Sequence, residues 1–254
     1  MSWAAKRRLV ILIILGALGI AIISVVLIST FTKAPSCTDR TQNQEESGID
    51  CGGPCPYLCT TDTQPPTVLF TKALPNTLGR TDVIAVVENK NARAAARAVP
   101  YRLTLFGKDQ LLIQDVTGTI DLPPGTKVPV YIPGIVSGQQ VATRAFITLD
   151  EDAPRWYSSS REEFINPLVA SALQTGTEMS PRIEAKISNP STSPLFQILV
   201  IAMVKDIEGN IIAASQTIVP HIEPQGEEVA VFTWNTSFTA PVGVIDVVPV
   251  VSLK

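Results

Sequence analysis

Hydrophobic and polar positions divide the chain into an apolar run, a polar stretch with cysteines and a long region of short apolar segments. Residues 9–28 carry no charge, and Ser24 is their only hydroxyl side chain. At about 1.5 Å of rise per residue, a helix of that length crosses the roughly 30 Å hydrocarbon core of a bilayer. The pattern therefore predicts a transmembrane helix over residues 9–29.

The charges that flank the apolar run predict its orientation. Lys6, Arg7 and Arg8 come directly before it, whereas only Lys33 follows nearby. Because positive flanks stay in the cytoplasm, residues 1–8 form a predicted cytoplasmic tail and the rest of the chain lies outside. A cleaved signal peptide is the alternative, but its apolar region usually has about 7–15 residues. The longer run favours a retained signal anchor in the cell membrane, with a single crossing.

The region after residue 64 is patterned as β structure. Short runs rich in Val, Ile and Thr are broken by Pro and Gly, and we interpret residues 101–106 and 200–205 as strands whose residues alternate between core and solvent. The pattern also repeats. Residues 83–89 resemble residues 183–189, and a Pro-Gly loop follows each of them at a matching distance. The repeat predicts two similar β domains in tandem.

Each copy contains strands, an Asn-containing loop, a tight turn and a Pro-Gly loop. Antiparallel strands with one apolar face bury that face against a second sheet, so the order predicts a two-sheet sandwich. The predicted domains are residues 65–160 and 161–254, after a stalk at residues 30–64. Residues 168–173 are the predicted first strand of the second copy, with an Ala-rich helix as the alternative. Trp156 and Tyr157, which end the first copy, are expected to pack at the junction of the two domains, with a sugar-stacking platform as the alternative.

Both copies resemble bacterial immunoglobulin-like modules named for a Phe-x-Leu-Tyr-Asp (FxLYD) signature. Residues 103–107 (Leu-Thr-Leu-Phe-Gly) and 202–206 (Ala-Met-Val-Lys-Asp) stand at that signature, and only Leu105 and Asp206 match it literally. The resemblance rests on the order of strands and turns over residues 80–135 and 180–235. It implies tandem immunoglobulin-like sandwiches outside the cytoplasm, without known catalytic residues. A looser likeness to water-stress immunoglobulin-like domains implies the same fold.

The predicted stalk holds every cysteine of the chain, in the spacing C-x13-C-x3-C-x3-C. An even number of close thiols outside the cytoplasm is typical of disulfides, whereas a structural zinc site usually has two C-x2-C pairs. The spacing therefore predicts two disulfides and no metal, with three pairings left open. The disulfide residues are Cys37, Cys51, Cys55 and Cys59.

Residues 37–59 resemble a short cysteine motif of bacterial cell-surface proteins that reads roughly C-x-D-x-x-x-N-x-x-E-x-G-x-D-C-G-G-x-C-x-x-C. The D-C-G-G-x-C core is present at residues 50–55, while the last gap has three residues where the motif has two. The resemblance implies a surface location and no activity. Its acidic residues are interpreted as solvated loop positions, with Ca²⁺ binding as the alternative. They are Asp39, Glu45, Glu46 and Asp50.

Charge and motif content exclude several function classes. The net charge of −3 argues against nucleic acid as the partner, because phosphate binding needs clustered positive charge. His221 is the single histidine, which excludes multi-histidine metal sites. The sequence contains no nucleophile elbow, P-loop, zinc-protease or dinucleotide motif. We therefore predict no catalytic residue, no cofactor and no enzyme activity, with a hydrolase dependent on His221 as an alternative.

Basic residues concentrate in one loop of the first predicted domain. Residues 65–160 have a net charge of +2, and residues 161–254 have −5. The basic side chains around residues 89–102 form a candidate interaction patch for an anionic wall polymer, a lipid headgroup or an acidic protein, with a solvated loop as the alternative. The patch consists of Lys90, Arg93, Arg97 and Arg102.

These predictions combine into a membrane-anchored surface protein with a non-catalytic interaction or scaffolding role. An alternative is an accessory subunit of a membrane-embedded envelope, secretion or pilus machine, whose apolar helix packs against partner helices. Small side chains in the apolar run would allow close helix approach, although they are also common in single anchors. They are Gly16, Ala17, Gly19 and Ala21.

Overall fold

The structure, a computed structural model, describes residues 3–31, 36–43, 45–75, 79–108, 110–136, 142–150, 154–160, 164, 166–250 and 252–253. These residues form helix α1 (Trp3–Phe31), a short 3-10 helix (Thr60–Asp62) and thirteen strands. The strands are β1 (Thr67–Pro75), β2 (Arg80–Glu88), β3 (Ala94–Gly107), β4 (Leu112–Leu122), β5 (Lys127–Val136), β6 (Ala142–Leu149), β7 (Trp156–Ser158), β8 (Leu168–Thr177), β9 (Ser180–Ser188), β10 (Leu195–Asp206), β11 (Ile211–Ile222), β12 (Glu227–Thr233) and β13 (Val242–Val250).

Helix α1 confirms the predicted apolar helix at the N-terminal end. Its segment Lys6–Ser29 is long and apolar enough to cross a membrane, and none of that segment is buried in the protein. A helix that is apolar on all sides and unburied needs an apolar environment for its side chains. A membrane anchor and a signal sequence both fit these properties.

All four cysteines are disulfide-bonded, as predicted. Cys37 is bonded to Cys55, with an S–S distance of 2.05 Å. Two of the acidic residues of the motif, Glu46 and Asp50, are not simply solvated, while Asp39 and Glu45 are exposed. The Asp50 carboxylate accepts hydrogen bonds from the backbone N–H groups of Asp39 (2.9 Å) and Arg40 (3.0 Å), and Glu46 is 94% buried, since only 6% of its surface is exposed. These carboxylates bind the backbone of a small disulfide-bonded segment, described over residues 36–43 and 45–55, which we call the cysteine knot without implying threaded disulfides.

Two glycines of the motif allow the chain to turn inside this knot. Gly52 and Gly53 have φ values of 71° and 57°, in the left-handed region that favours glycine. A Cβ atom on Gly53 would collide with the backbone carbonyl of Glu45. The second glycine of the D-C-G-G-x-C core is therefore required by the fold, because a larger residue does not fit at that position.

We expect Gly53→Ala to destabilise the knot by about 1–3 kcal/mol, since it adds a steric clash to an unfavourable backbone conformation. The variant should be reduced at a lower dithiothreitol concentration than the parent protein, as followed by thiol alkylation and mass spectrometry. Ser47→Ala, at an exposed side chain of the same knot, is the control and should leave reduction unchanged. Equal reduction of Gly53→Ala and the parent would contradict the assigned role.

The first sandwich contains sheets β1-β2-β5 and β4-β3-β6, with β7 paired to β3. Every pairing is antiparallel. Alternate residues of β2 and β3 point between the sheets and form the core, which agrees with the period of two expected for a strand. Fully buried members of this core include Val83, Val87, Leu103, Leu105 and Leu122.

The second sandwich repeats this arrangement with sheets β12-β9-β8 and β11-β10-β13. Its core is formed in the same way by inward-facing residues of β9, β10, β11 and β12, including Ile183, Ile187, Val200, Val204 and Phe232. The predicted fold class, a mainly β chain with one N-terminal apolar helix and antiparallel sandwiches, is confirmed. The predicted domain boundaries stay predictions.

A buried asparagine occupies the same position in both sandwiches and joins two loops. Asn89 and Asn189 are 0% and 1% exposed. The two N–H donors of each Nδ2 group are shared among three backbone carbonyl oxygens within hydrogen-bond distance, one in its own loop and two at the Pro-Gly loop. The acceptors are Ala94, Leu122 and Pro123 for Asn89, and Ser193, Ile222 and Glu223 for Asn189. The repeated Asn is therefore part of the fold.

The two sandwiches pack against each other through an apolar junction. The outer face of β2 contributes Ile84 and Val86, and the outer face of β10 contributes Ile201 and Met203. Tyr131 of β5 packs against the same cluster, and burial, together with the nearby Asp82 carboxylate, raises the pKa of its phenol. Both β2 and β10 are thus buried on two faces.

Two sequence expectations about these regions are wrong. Residues 200–205 were expected to alternate between core and solvent, but Val200–Val204 is buried throughout because its outer face lies in the junction. Trp156 does not lie at the junction. It is 2% exposed and packs in the core of the first sandwich, where β7 places it opposite Ala96.

Candidate interaction surface

The sheet that contains β3 is extended past β7 by the segment that follows the cysteine knot. Tyr57 forms a β-bridge with Tyr157, and the Leu58 N–H donates to the carbonyl oxygen of Trp156 at 2.8 Å. Leu58 also packs on the first core. The segment therefore covers the open edge of β7 and places Tyr57 beside Tyr157.

Strand alternation sorts the side chains of β7 between the two faces of the sheet. Trp156 points into the core, so its neighbours Arg155 and Tyr157 lie on the outer face. On β3, Ala95 is opposite Tyr157, which places Arg97, two residues further on, on the same outer face. Four side chains from three chain segments therefore meet on one exposed face.

These four side chains form two cation–π pairs. The Arg155 guanidinium carbon lies 4.2 Å from the Tyr57 ring centroid, and that of Arg97 lies 5.7 Å from the Tyr157 ring centroid. Both distances are within the roughly 6 Å range of such contacts. We call Tyr57, Arg97, Arg155 and Tyr157 the Arg–Tyr surface.

The Arg–Tyr surface carries positive charge that no described acidic group balances. Arg97 and Arg155 form no ion pair with any residue that the structure describes, and both are exposed. Arg93 is exposed as well and lies in the turn directly before β3, so it adds a third positive charge close in the chain to Arg97. This is the chemistry that attracts an oxyanion.

The structure separates the four residues of the predicted basic patch. Arg97 belongs to the face just described and Arg93 lies in the turn before β3, whereas Arg102 forms an ion pair with Asp115 at 3.6 Å. Lys90 lines a cleft of about 660 Å³, together with Lys127 and Glu88. Whether the patch binds a partner stays a prediction.

Sequence reasoning missed Tyr57 and Arg155. Tyr57 lies between Cys55 and Cys59, and its polar, cysteine-rich surroundings give no sign that it joins a sheet. Arg155 directly precedes Trp156 and Tyr157. If Trp156 points into the core, alternation along a strand predicts that Arg155 is exposed, and the sequence contains no other sign of its position. The missing information is a non-local strand pairing.

His221 has no partner that would make it a catalytic base among the described residues. Its ring stacks on Phe196, with centroids 4.8 Å apart, and its Nε2 lies 3.8 Å from a carboxylate oxygen of Glu223. No described hydroxyl or thiol forms a hydrogen bond with it. The hydrolase alternative therefore gains no support from the geometry around this histidine.

One cluster of potential metal ligands occurs in the described part of the chain. It consists of Cys37, Glu46 and Cys55, whose ligand atoms lie within 4.8 Å of one another. Because Cys37 and Cys55 are bonded to each other, neither sulfur is a thiolate, and the donor set does not fit a metal ion.

No family model and no curated protein matches the chain. Among solved structures, a red sea bream transglutaminase is similar, with 18% identity, coverage of 76% of this chain and 32% of that one, and a TM-score of 0.26. A β-glucuronidase of glycoside hydrolase family 2 shows 12% identity, coverage of 83% and 25%, and a TM-score of 0.21. The chain thus spans at most 32% of these enzymes, and TM-scores this low carry no functional argument.

Proposed function

We propose that the protein is a non-catalytic, single-pass surface protein that displays two immunoglobulin-like sandwiches outside the cytoplasm for interaction or scaffolding. The observation that carries the proposal is an unburied apolar helix in the same chain as four cysteines that are all disulfide-bonded. Disulfides persist in oxidising compartments, so the sandwiches belong on the oxidising side of the membrane that the helix crosses. The Lys6–Arg8 flank supports an N-terminus in the cytoplasm.

The two resemblances support the finer assignment. The D-C-G-G-x-C core and the FxLYD-like order of strands both occur in bacterial surface proteins. Gly53 and the two buried asparagines have structural roles. The fold therefore accounts for the residues that repeat in these motifs, with no need for a catalytic role. The exposed Arg–Tyr surface supplies a face through which an interaction protein can act.

Protease accessibility in intact cells tests the proposed location. We expect protease added outside the cells to digest the sandwiches while an epitope tag at the N-terminus stays protected. Lysed cells are the control, in which both ends must be cleaved. Protection of the sandwiches in intact cells, or four reduced cysteines in rapidly alkylated material, would contradict the proposal.

An accessory subunit of a membrane machine is the second candidate, and one observation favours it. Gly16 and Gly19 lie one turn apart on α1 and carry no side chain, so a partner helix could approach closely there. If α1 packs in a machine, Gly16→Leu with Gly19→Leu should remove co-purifying membrane subunits. Leu12→Ile, on the same helix, is the control. An unchanged set of partners would exclude this role for the helix.

A further inference from the structure

The stacking of each arginine on a tyrosine leaves its hydrogen-bond donors available. A guanidinium that lies over a ring keeps its planar fork of N–H groups directed outward, where carboxylates and phosphates bind in a bidentate way. Stacking also removes part of the side-chain entropy that an exposed arginine loses on binding. Arg97 and Arg155 are therefore oriented in advance for oxyanions.

The charge of the whole chain favours a short acidic ligand over a long polyanion. The net charge is −3, and the negative charge is concentrated in residues 161–254, which have −5, so a long polyanion that extends onto the second sandwich is repelled there. A local acidic segment meets only the Arg–Tyr surface and Arg93. Tyr and Arg are also the residue types enriched at the centres of protein–protein interfaces. These points favour a protein partner over a wall polymer or a lipid surface.

We propose that the Arg–Tyr surface binds an acidic segment of a partner protein, with carboxylates that pair with Arg97 and Arg155. The inference rests on the proposed function and names the kind of partner. The pairing of Ala95 with Tyr157 and of Ala96 with Trp156 places Arg97 and Arg155 just beyond the same end of this ladder, on adjacent chain segments. Alternate residues of an extended peptide lie about 7 Å apart and point to the same side, so acidic residues at alternate positions present their carboxylates together toward the Arg–Tyr surface.

A binding assay with the full chain in uncharged detergent tests this proposal. The probe is a fluorescent ten-residue peptide with Glu at alternate positions and Ser between them. We expect Arg97→Gln with Arg155→Gln to weaken binding at least about tenfold, since two charge-assisted contacts are lost. Arg144→Gln with Arg182→Gln is the control, because it removes the same charge from other exposed positions. An equal loss in both double variants would overturn the proposal.

A second pair of variants separates oriented recognition from a diffuse positive field. Arg97→Lys with Arg155→Lys keeps the charge and removes the planar fork, and we expect it to weaken binding about fivefold or more. Tyr57→Leu should also weaken binding, whereas Tyr57→Phe should retain it, because phenylalanine still presents a ring. Full affinity in the lysine variant would overturn the assigned role of the guanidinium groups.

Two other probes distinguish the anion sources. Inorganic polyphosphate represents an anionic polymer, and phosphatidylglycerol vesicles represent a lipid surface. Binding of either probe through Arg97 and Arg155, with no binding of the acidic peptide, would overturn the choice of a protein partner. The assay does not depend on membrane topology, so peptide binding can hold even if the protease experiment contradicts the proposed location. A failure of each proposal is therefore recognisable separately.

Discussion

Asn89→Ala is expected to lower the free energy of unfolding of the first sandwich by about 3 kcal/mol. The Asn89 side chain is fully buried. The two N–H donors of its Nδ2 group are shared among three backbone carbonyl oxygens, and its Oδ1 accepts from the N–H of Asn91 at 3.0 Å. Alanine removes all of these bonds and leaves the buried carbonyl oxygens without partners. The desolvation cost of these unpaired groups exceeds the net stability that the hydrogen bonds contribute. The loop before β3 then loses its attachment to the Pro-Gly loop.

The internal repeat supplies a matched experiment. Asn189→Ala should have a similar effect on the second sandwich, because Asn189 makes the same set of bonds. Trp156 lies in the first core and Trp234 packs on the second, so single-tryptophan versions report each sandwich separately during urea unfolding. Asn235→Ala, at an exposed position, is the control and should change the stability by less than about 0.5 kcal/mol. Unchanged midpoints in both buried variants would contradict the loop-joining role.

Strand positions and the repeat could be predicted from the sequence because they depend on local signals. Runs of Val, Ile and Thr ending at Pro, Gly or Asn mark strand limits, so residues 168–173 were found inside β8 (Leu168–Thr177). The same holds for the apolar helix and the disulfides, which follow from length and spacing. None of these features needs knowledge of which distant segments meet.

The junction could not be predicted from periodicity alone. A run that is apolar at every position gives no information on what covers its second face. A comparison between the two copies carries the missing signal. The positions of Ile84 and Val86 in the first copy hold Glu184 and Lys186 in the second, on the matching strand β9. Only the copy whose outer face is covered keeps that face apolar.

The Arg–Tyr surface shows the same limit in the candidate site. Arg97 was predicted from the local density of basic residues, which is visible in the sequence. Its tyrosine partner comes from β7, and Tyr57 comes from a segment about 100 residues earlier in the chain, through a bridge that no local pattern marks. A charge cluster is therefore predictable, while the stacked geometry that orients it is not.

Ile201→Asp is expected to have the largest effect of the proposed substitutions, with a loss of about 4 kcal/mol or more at the junction. Ile201 is 1% exposed and packs among Ile84, Val86 and Met203, where a carboxylate has no partner of opposite charge in the cluster. The side chain points away from the core of its own sandwich, so both sandwiches should stay folded while their contact is lost. The variant should then unfold in two transitions, and its radius of gyration by small-angle scattering should exceed that of the parent.

Val229→Asp is the matched control for this change. Val229 is also a branched apolar residue of a strand, but it is 47% exposed, and its register partner is Lys186. Aspartate there is solvated and lies near a positive charge, so stability should change by less than about 0.5 kcal/mol. The position of the Trp234 emission maximum should be the same in both variants, which shows that the second core is intact. If Ile201→Asp still unfolds in one transition with an unchanged midpoint, the apolar cluster does not hold the sandwiches together. If it does separate them, the junction is the element that sets how the Arg–Tyr surface is presented relative to the second sandwich.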